Sequence, residues 1–130
     1  MILKEDCIFC QIVSGKIPAD RIKESDNFIV IRDINPVAPV HLLIISKRHY
    51  DSVMEAGSDA VNVSEGGLSG RGGWGGGNEI FWLLGSLAKE FKADGKGFRT
   101  VINTGEDGGQ TVQHLHIHFL AGRGFGWPPG

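Results

Sequence analysis

Three histidines alternate with apolar residues near the end of the chain, in His114-Leu115-His116-Ile117-His118, and are followed by Phe119 and Leu120. Side chains on a β-strand alternate between its faces with a period of two. A strand over residues 112–120 therefore puts all three imidazoles on one face, with Leu115, Ile117 and Phe119 packed on the other. A row of titratable rings is costly in a core, because buried polar groups need partners. It suits a face that binds a metal or an anion, or that carries out proton transfer and nucleophilic attack. Metal chelation stays open beside catalysis, since imidazole is a common ligand for zinc, copper and iron.

The rest of the chain supplies a sheet for that strand. Phe28-Ile29-Val30-Ile31-Arg32 and His41-Leu42-Leu43-Ile44-Ile45 are β-branched or apolar runs and read as strands. Residues 21–23 and 98–102 read as two further short strands. Residues 6–13 suit a short N-terminal helix, with Asp6 as the expected N-cap and Ser14-Gly15-Lys16 ending it. Residues 80–91 read as the main helix, closed by Gly95 and Gly97. Pro36 and Pro39 break the stretch between the two strong strands into a loop. The expected class is α+β: an antiparallel sheet of about five strands with one main helix against it. At 130 residues the chain is one domain, long enough to bury a core without disulfides.

Residues 57–79 stand apart. Their glycines, including Gly66-Gly67, Gly72-Gly73 and Gly75-Gly76-Gly77, predict a flexible surface insertion, with Trp74 as its one anchor. The segment lacks the spacing of a phosphate-binding P-loop.

Charge excludes several functions. The formal net charge is −2 with no basic stripe, which argues against nucleic acid as a partner. No run of about twenty apolar residues is present, so no membrane span is expected. The N-terminus turns acidic at Glu5-Asp6, too early for a signal peptide, and a cytoplasmic location is expected. There thiols stay reduced, and the pair Cys7 and Cys10 is either a redox dithiol or half of a zinc site. No strand precedes it, unlike a thioredoxin-type dithiol, and histidines elsewhere favour metal. Cys7, Cys10, His49 and one histidine of the row would complete a tetrahedral set. The alternative is two buried thiols and a surface His49.

The turn before the histidines, Asn103-Thr104-Gly105-Glu106-Asp107-Gly108-Gly109-Gln110-Thr111, combines a close-approach Gly-Gly with a hydroxyl. With the imidazoles beside it, it forms an anion pocket suited to a phosphoryl group. A neutral imidazole can attack phosphorus directly, while flanking donors stabilise the charge that builds on the oxygens.

These residues resemble the histidine triad (HIT) family, whose signature is alternating histidine and apolar residues. The resemblance covers residues 108–112 and 114–120, Ile8-Phe9, Ile17-Pro18-Ala19, Arg32-Asp33-Ile34-Asn35-Pro36 and Pro39-Val40-His41. The closing Trp127-Pro128-Pro129-Gly130 is similar to the Hint branch, the purine nucleoside phosphoramidases, rather than the Fhit-like dinucleoside polyphosphate hydrolases.

The resemblance implies a single dimeric HIT domain that acts on purine nucleotides. It would cleave the P–N bond of adenosine phosphoramidates through a nucleotidyl-histidine and release AMP. It makes His116 the nucleophile, His118 a donor to phosphate oxygens, and His114 and His41 supporting histidines. Asn103, Gly109, Gln110 and Thr111 become phosphate and leaving-group contacts, and Asp33 the ribose-binding carboxylate. Ile8, Phe9, Ile12, Ile31 and Ile34 become nucleobase walls, and Trp127 a tail residue reaching the partner subunit's site. It implies Cys7, Cys10, His49 and His114 as ligands of a structural zinc, with no organic cofactor. Hydrolysis of dinucleoside polyphosphates or mixed anhydrides is the first alternative. A nucleotide-binding partner protein with incidental hydrolysis is the second, and a metalloenzyme using the histidine row as ligands the third. The departure from the family is residues 57–79, where the connection to the main helix is ordinarily shorter.

Overall fold

A computed structural model describes residues 4–60 and 74–130. Helix α1 (Ile8–Ser14) leads into strands β1 (Arg21–Glu24), β2 (Phe28–Arg32) and β3 (Val40–Ser46). Helices α2 (Val53–Ala60) and α3 (Gly76–Glu90) follow, then strands β4 (Arg99–Val101) and β5 (His116–Ala121). The five strands form one antiparallel sheet in the order β1-β2-β3-β5-β4. The fold is the expected α+β class, and β2 has the expected bounds. Among the described residues no helix is long and apolar enough to cross a membrane.

Both faces of the sheet centre are covered. Phe28, Val30, Leu42, Ile44, Ile117 and Phe119 pack with Leu83, Leu87 and Ala88 of α3. Ile29, Ile31, Leu43 and Ile45 pack on the other face with Phe9 and Ile12 of α1. Double coverage is why β2 and β3 read as continuous apolar runs rather than alternating ones. In the β3–β5 register Leu43 lies opposite His118 and Ile45 opposite His116. Directly opposed residues share a face, so both imidazoles stand on the α1 side, where helix and sheet leave room for a ligand.

Several expected boundaries move. The N-cap of α1 is Cys7, not Asp6: its thiol accepts from the Cys10 amide at 3.3 Å. Gly15, at φ +87°, closes the helix through the left-handed conformation open to glycine. Strand β5 begins at His116 rather than at residue 112, so His114 lies on the approach to it.

The expected flexible insertion over residues 57–79 is corrected at both ends. Residues 57–60 complete α2, and 76–79 form the first turn of α3, four residues before the expected start. Residues 61–73 lie outside the described residues. Trp74 is an anchor, with its ring 5.5 Å from Phe28 and 5.0 Å from Tyr50. Gly76 starts a helix because that ring lies across it: a Cβ there would stand 2.3 Å from the indole. Glu79 ties the same turn to the β1–β2 connection. It accepts from the Asn27 amide at 2.8 Å, from the Asn27 side chain at 2.8 Å, and from the Ser25 hydroxyl.

Candidate active site and metal centre

A cavity of about 580 Å³ lies between α1 and the sheet. Ile8, Phe9, Ile12, Ile31 and Ile34 line it, as do Asp33, Thr111, His116 and His118. This is an apolar slot with a few polar groups, the usual composition of a small-molecule site. Ile17, Pro18, Ala19 and Leu43 add to its walls. Asn103, Gly109, Gln110 and Trp127 are not among its lining residues. The Gln110 amide is spent inside its own loop and the neighbouring one. It donates to the Asp51 carbonyl at 2.6 Å and the Val112 carbonyl at 3.0 Å, and accepts from the Gly105 amide at 3.0 Å. Trp127 is 83% exposed.

The hydrogen bonds of each histidine fix its protonated nitrogen. A neutral imidazole has one N–H and one lone pair. His116 Nδ1 lies 2.7 Å from the His114 carbonyl, which only accepts, so Nδ1 carries the proton. The Nε2 lone pair is thereby left free. His41 Nδ1 accepts from the Val37 amide at 3.1 Å, so its proton is on Nε2. That Nε2 lies 2.9 Å from His118 Nδ1 and 3.3 Å from the Asp33 carboxylate. Burial, reinforced by His116 and His41, holds the His118 pKa down to about 4, so its ring is neutral near pH 7.

His114 is fully buried and does not line the slot. Its Nε2 donates to the Ser46 carbonyl at 2.7 Å. Its Nδ1 faces Cys7 Sγ at 3.2 Å, Cys10 Sγ at 3.5 Å and His49 Nδ1 at 3.1 Å. His49 Nδ1 is 3.2 Å from Cys10 Sγ, while its Nε2 meets the Asp51 carboxylate at 2.7 Å. With both Nε2 atoms donating outward, two bare Nδ1 lone pairs face each other and two sulfurs.

That donor set fits zinc. Ligands at Zn–S of about 2.3 Å and Zn–N of about 2.0 Å have tetrahedral edges of roughly 3.3–3.6 Å between S and N or N and N. The separations of 3.1–3.5 Å match within a few tenths, and the four ligand atoms lie within 4.8 Å of one another. Ser46 and Asp51 supply the outer acceptors that metal-binding imidazoles ordinarily have. Four protein ligands leave no open position.

A HIT domain model matches residues 78–125, and a model for the C-terminal binding region of scavenger mRNA decapping enzymes matches residues 6–63. The chain is 41% identical to an uncharacterized HIT-like protein of Synechococcus elongatus, covering 98% of this chain and 100% of the relative. The chain belongs to the histidine triad family.

Two solved HIT proteins share the fold. A histidine triad protein from Clostridium difficile superposes with a TM-score of 0.77 at 38% identity, covering 96% of this chain and 97% of that one. A HIT family hydrolase from Legionella pneumophila gives 0.77 at 38% identity, covering 96% and 100%. Within this HIT chain, sequence reasoning missed three contributors: the Ser46 carbonyl, the Val37 amide and Asp51. The first two are backbone groups that any residue but proline would supply. Asp51 had a signal, since it stands two positions after His49.

Proposed function

We propose that this protein is a nucleotidyl hydrolase that cleaves the P–N bond of purine nucleoside phosphoramidates. The observation that carries this reading is the His116 ring, whose Nδ1 is tied to the His114 carbonyl while Nε2 keeps its lone pair. The ring is oriented and set in a slot wide enough for a nucleoside. A hydrolase among the solved relatives supports the class.

The His116 Nε2 lone pair attacks the α-phosphorus. The P–N bond of the substrate breaks, and the amine leaves with a proton from His118, Thr111 or a bound water. Water then attacks the phosphorus and the P–Nε2 bond breaks, releasing AMP and restoring the lone pair, while the proton lost by the water replaces the one given to the amine. His118 and Thr111 face the same cavity and would hydrogen-bond the phosphoryl oxygens as charge builds on them. Asp33 has the acceptor-only chemistry that ribose hydroxyls need. Its carboxylate is oriented by the Asn35 amide at 2.8 Å.

Cys7, Cys10, His49 and His114 would hold a structural zinc, which supplies rigidity and no chemistry at the phosphorus. Free thiols at Cys7 and Cys10 suit a cytoplasmic setting. The reading includes a homodimer. Phe81 and Trp82 of α3 are 77% and 60% exposed, and β4 is an edge strand.

Rapid mixing of the protein with an adenosine phosphoramidate, followed by intact-protein mass spectrometry, tests the proposal. The expected result is a transient adduct of one AMP on the native protein and none on His116→Ala. No adduct, with equal AMP release from the variant, would sink the nucleophile assignment.

A further inference from the structure

His41 is buried at the back of the site and does not line the slot, yet it touches His118 directly. What holds His41 lies farther out. Residue 37 is gripped at both ends. Its amide donates to His41 Nδ1 at 3.1 Å. Its carbonyl accepts two bonds from Arg123, from Nε at 3.1 Å and Nη2 at 3.0 Å. The guanidinium is itself fixed, donating to the Gly124 carbonyl at 2.9 Å and lying 4.3 Å over the Phe125 ring. Gly122, at φ +97°, lets this segment lie flush against the loop, since a Cβ there would stand 2.7 Å from Pro39.

We propose that Arg123 and His41 are positioning residues that decide which nitrogen of His118 carries its proton. Arg123 seats residue 37, the Val37 amide sets the tautomer of His41, and His41 sets the tautomer of His118. The chain follows by elimination. His41 Nδ1 accepts, so a neutral ring must bear its proton on Nε2. Nε2 is then a donor, shared between His118 Nδ1 and the Asp33 carboxylate. His118 Nδ1 must accept, so the neutral His118 ring keeps its proton on Nε2, the nitrogen left for the slot.

The alternative tautomer is chemically wrong for an anion. If residue 37 slips and His41 swaps its proton, His118 Nδ1 becomes the donor and Nε2 a bare lone pair. A lone pair beside a phosphoryl oxygen repels it, where an N–H would bind it. The loss would fall on the charge that grows during transfer more than on ground-state binding. Arg123 is suited to the task because its planar fork puts two N–H groups on one carbonyl, which a lysine ammonium does not reproduce. The catalytic consequence rests on the proposed role of His118; the tautomer relay does not.

The test uses the full chain with ¹⁵N-labelled histidine and long-range ¹H–¹⁵N correlation spectra, which separate protonated from bare ring nitrogens. The native protein is expected to show Nε2–H at both His41 and His118. Arg123→Met is expected to mix the His118 tautomers and lower kcat on an adenosine phosphoramidate roughly 10- to 100-fold, with KM nearly unchanged. Arg123→Lys should fall between the two. A native His41 or His118 protonated at Nδ1 overturns the relay without any variant. Native tautomers and native kcat in Arg123→Met overturn the role of Arg123, and Arg123→Lys answers the same question if the methionine variant does not fold. Expected tautomers in a native protein that forms no AMP adduct and releases no AMP leave the relay standing and reject the hydrolase instead.

Discussion

His114 and His116 are joined by a bond from ring to backbone: His116 Nδ1 donates to the His114 carbonyl at 2.7 Å. One residue thus faces the sulfur-rich cluster with its ring and the proposed nucleophile, His116, with its backbone. Replacing His116 by alanine removes the proposed nucleophile and leaves the His114 ring in its cluster. We expect kcat to fall at least about a thousandfold, with AMP binding and the thermal midpoint close to native. Single-turnover kinetics and calorimetry on the same preparation check both halves.

The Cys7, Cys10, His49 and His114 cluster predicts one zinc per chain. Cys10→Ser, or prolonged chelation, is expected to remove the metal and lower Tm by roughly 10 °C, since ligand binding to the folded state adds directly to its stability. Turnover should decline only as the fold loosens. Metal analysis alongside a melting curve measures this, and immediate loss of turnover on adding chelator, before any change in melting, would argue against a structural role.

Gly108 closes the turn ahead of the histidines. A Cβ there would stand 2.3 Å from the Thr104 carbonyl oxygen and 2.8 Å from its amide nitrogen, both backbone atoms that cannot swing aside. Gly108→Ala must open the turn and shift Thr111, three residues on. We expect a stability loss of about 1–3 kcal/mol by urea denaturation. A roughly tenfold drop in kcat/KM should accompany it.

His118 makes stability depend on pH. Its pKa is held to about 4 in the fold by burial, against 6.5 for the free group. As pH falls through 6.5 the unfolded chain takes up a proton that the folded one refuses until about pH 4. Its contribution is therefore fully present above pH 6.5 and is lost progressively down to about pH 4. Urea midpoints at pH 7.5, 5.5 and 4.5 should fall less steeply in His118→Gln than in the native protein.

Much of this was legible in the sequence. Alternation placed His116 and His118 on one face of β5 because the period of a strand depends on local backbone geometry alone. The run of Phe28 to Arg32 announced a strand through its β-branched residues, and Gly15 announced the end of α1 through its permitted φ. Helix α2 and the first turn of α3, on either side of the glycine-rich stretch, were not legible, although the body of α3 was. Glycine weakens a helix by about 1 kcal/mol relative to alanine, so Gly75-Gly76-Gly77 argued for a loop. Packing reversed that: Gly76 sits beneath Trp74, where no side chain fits.

The sequence by itself determined the sheet, the histidine face and the residue types able to bind metal or phosphate, all from patterns spanning a few residues. The tertiary structure decided which nitrogen of each histidine is free. That choice depends on the Ser46 carbonyl, the His114 carbonyl and the Val37 amide. Every residue but proline has both groups, so no sequence pattern marks the ones that matter. It likewise decided that Cys7 and His114, 107 positions apart, meet at 3.2 Å, because only the antiparallel closure of β5 on β3 under α1 brings them together.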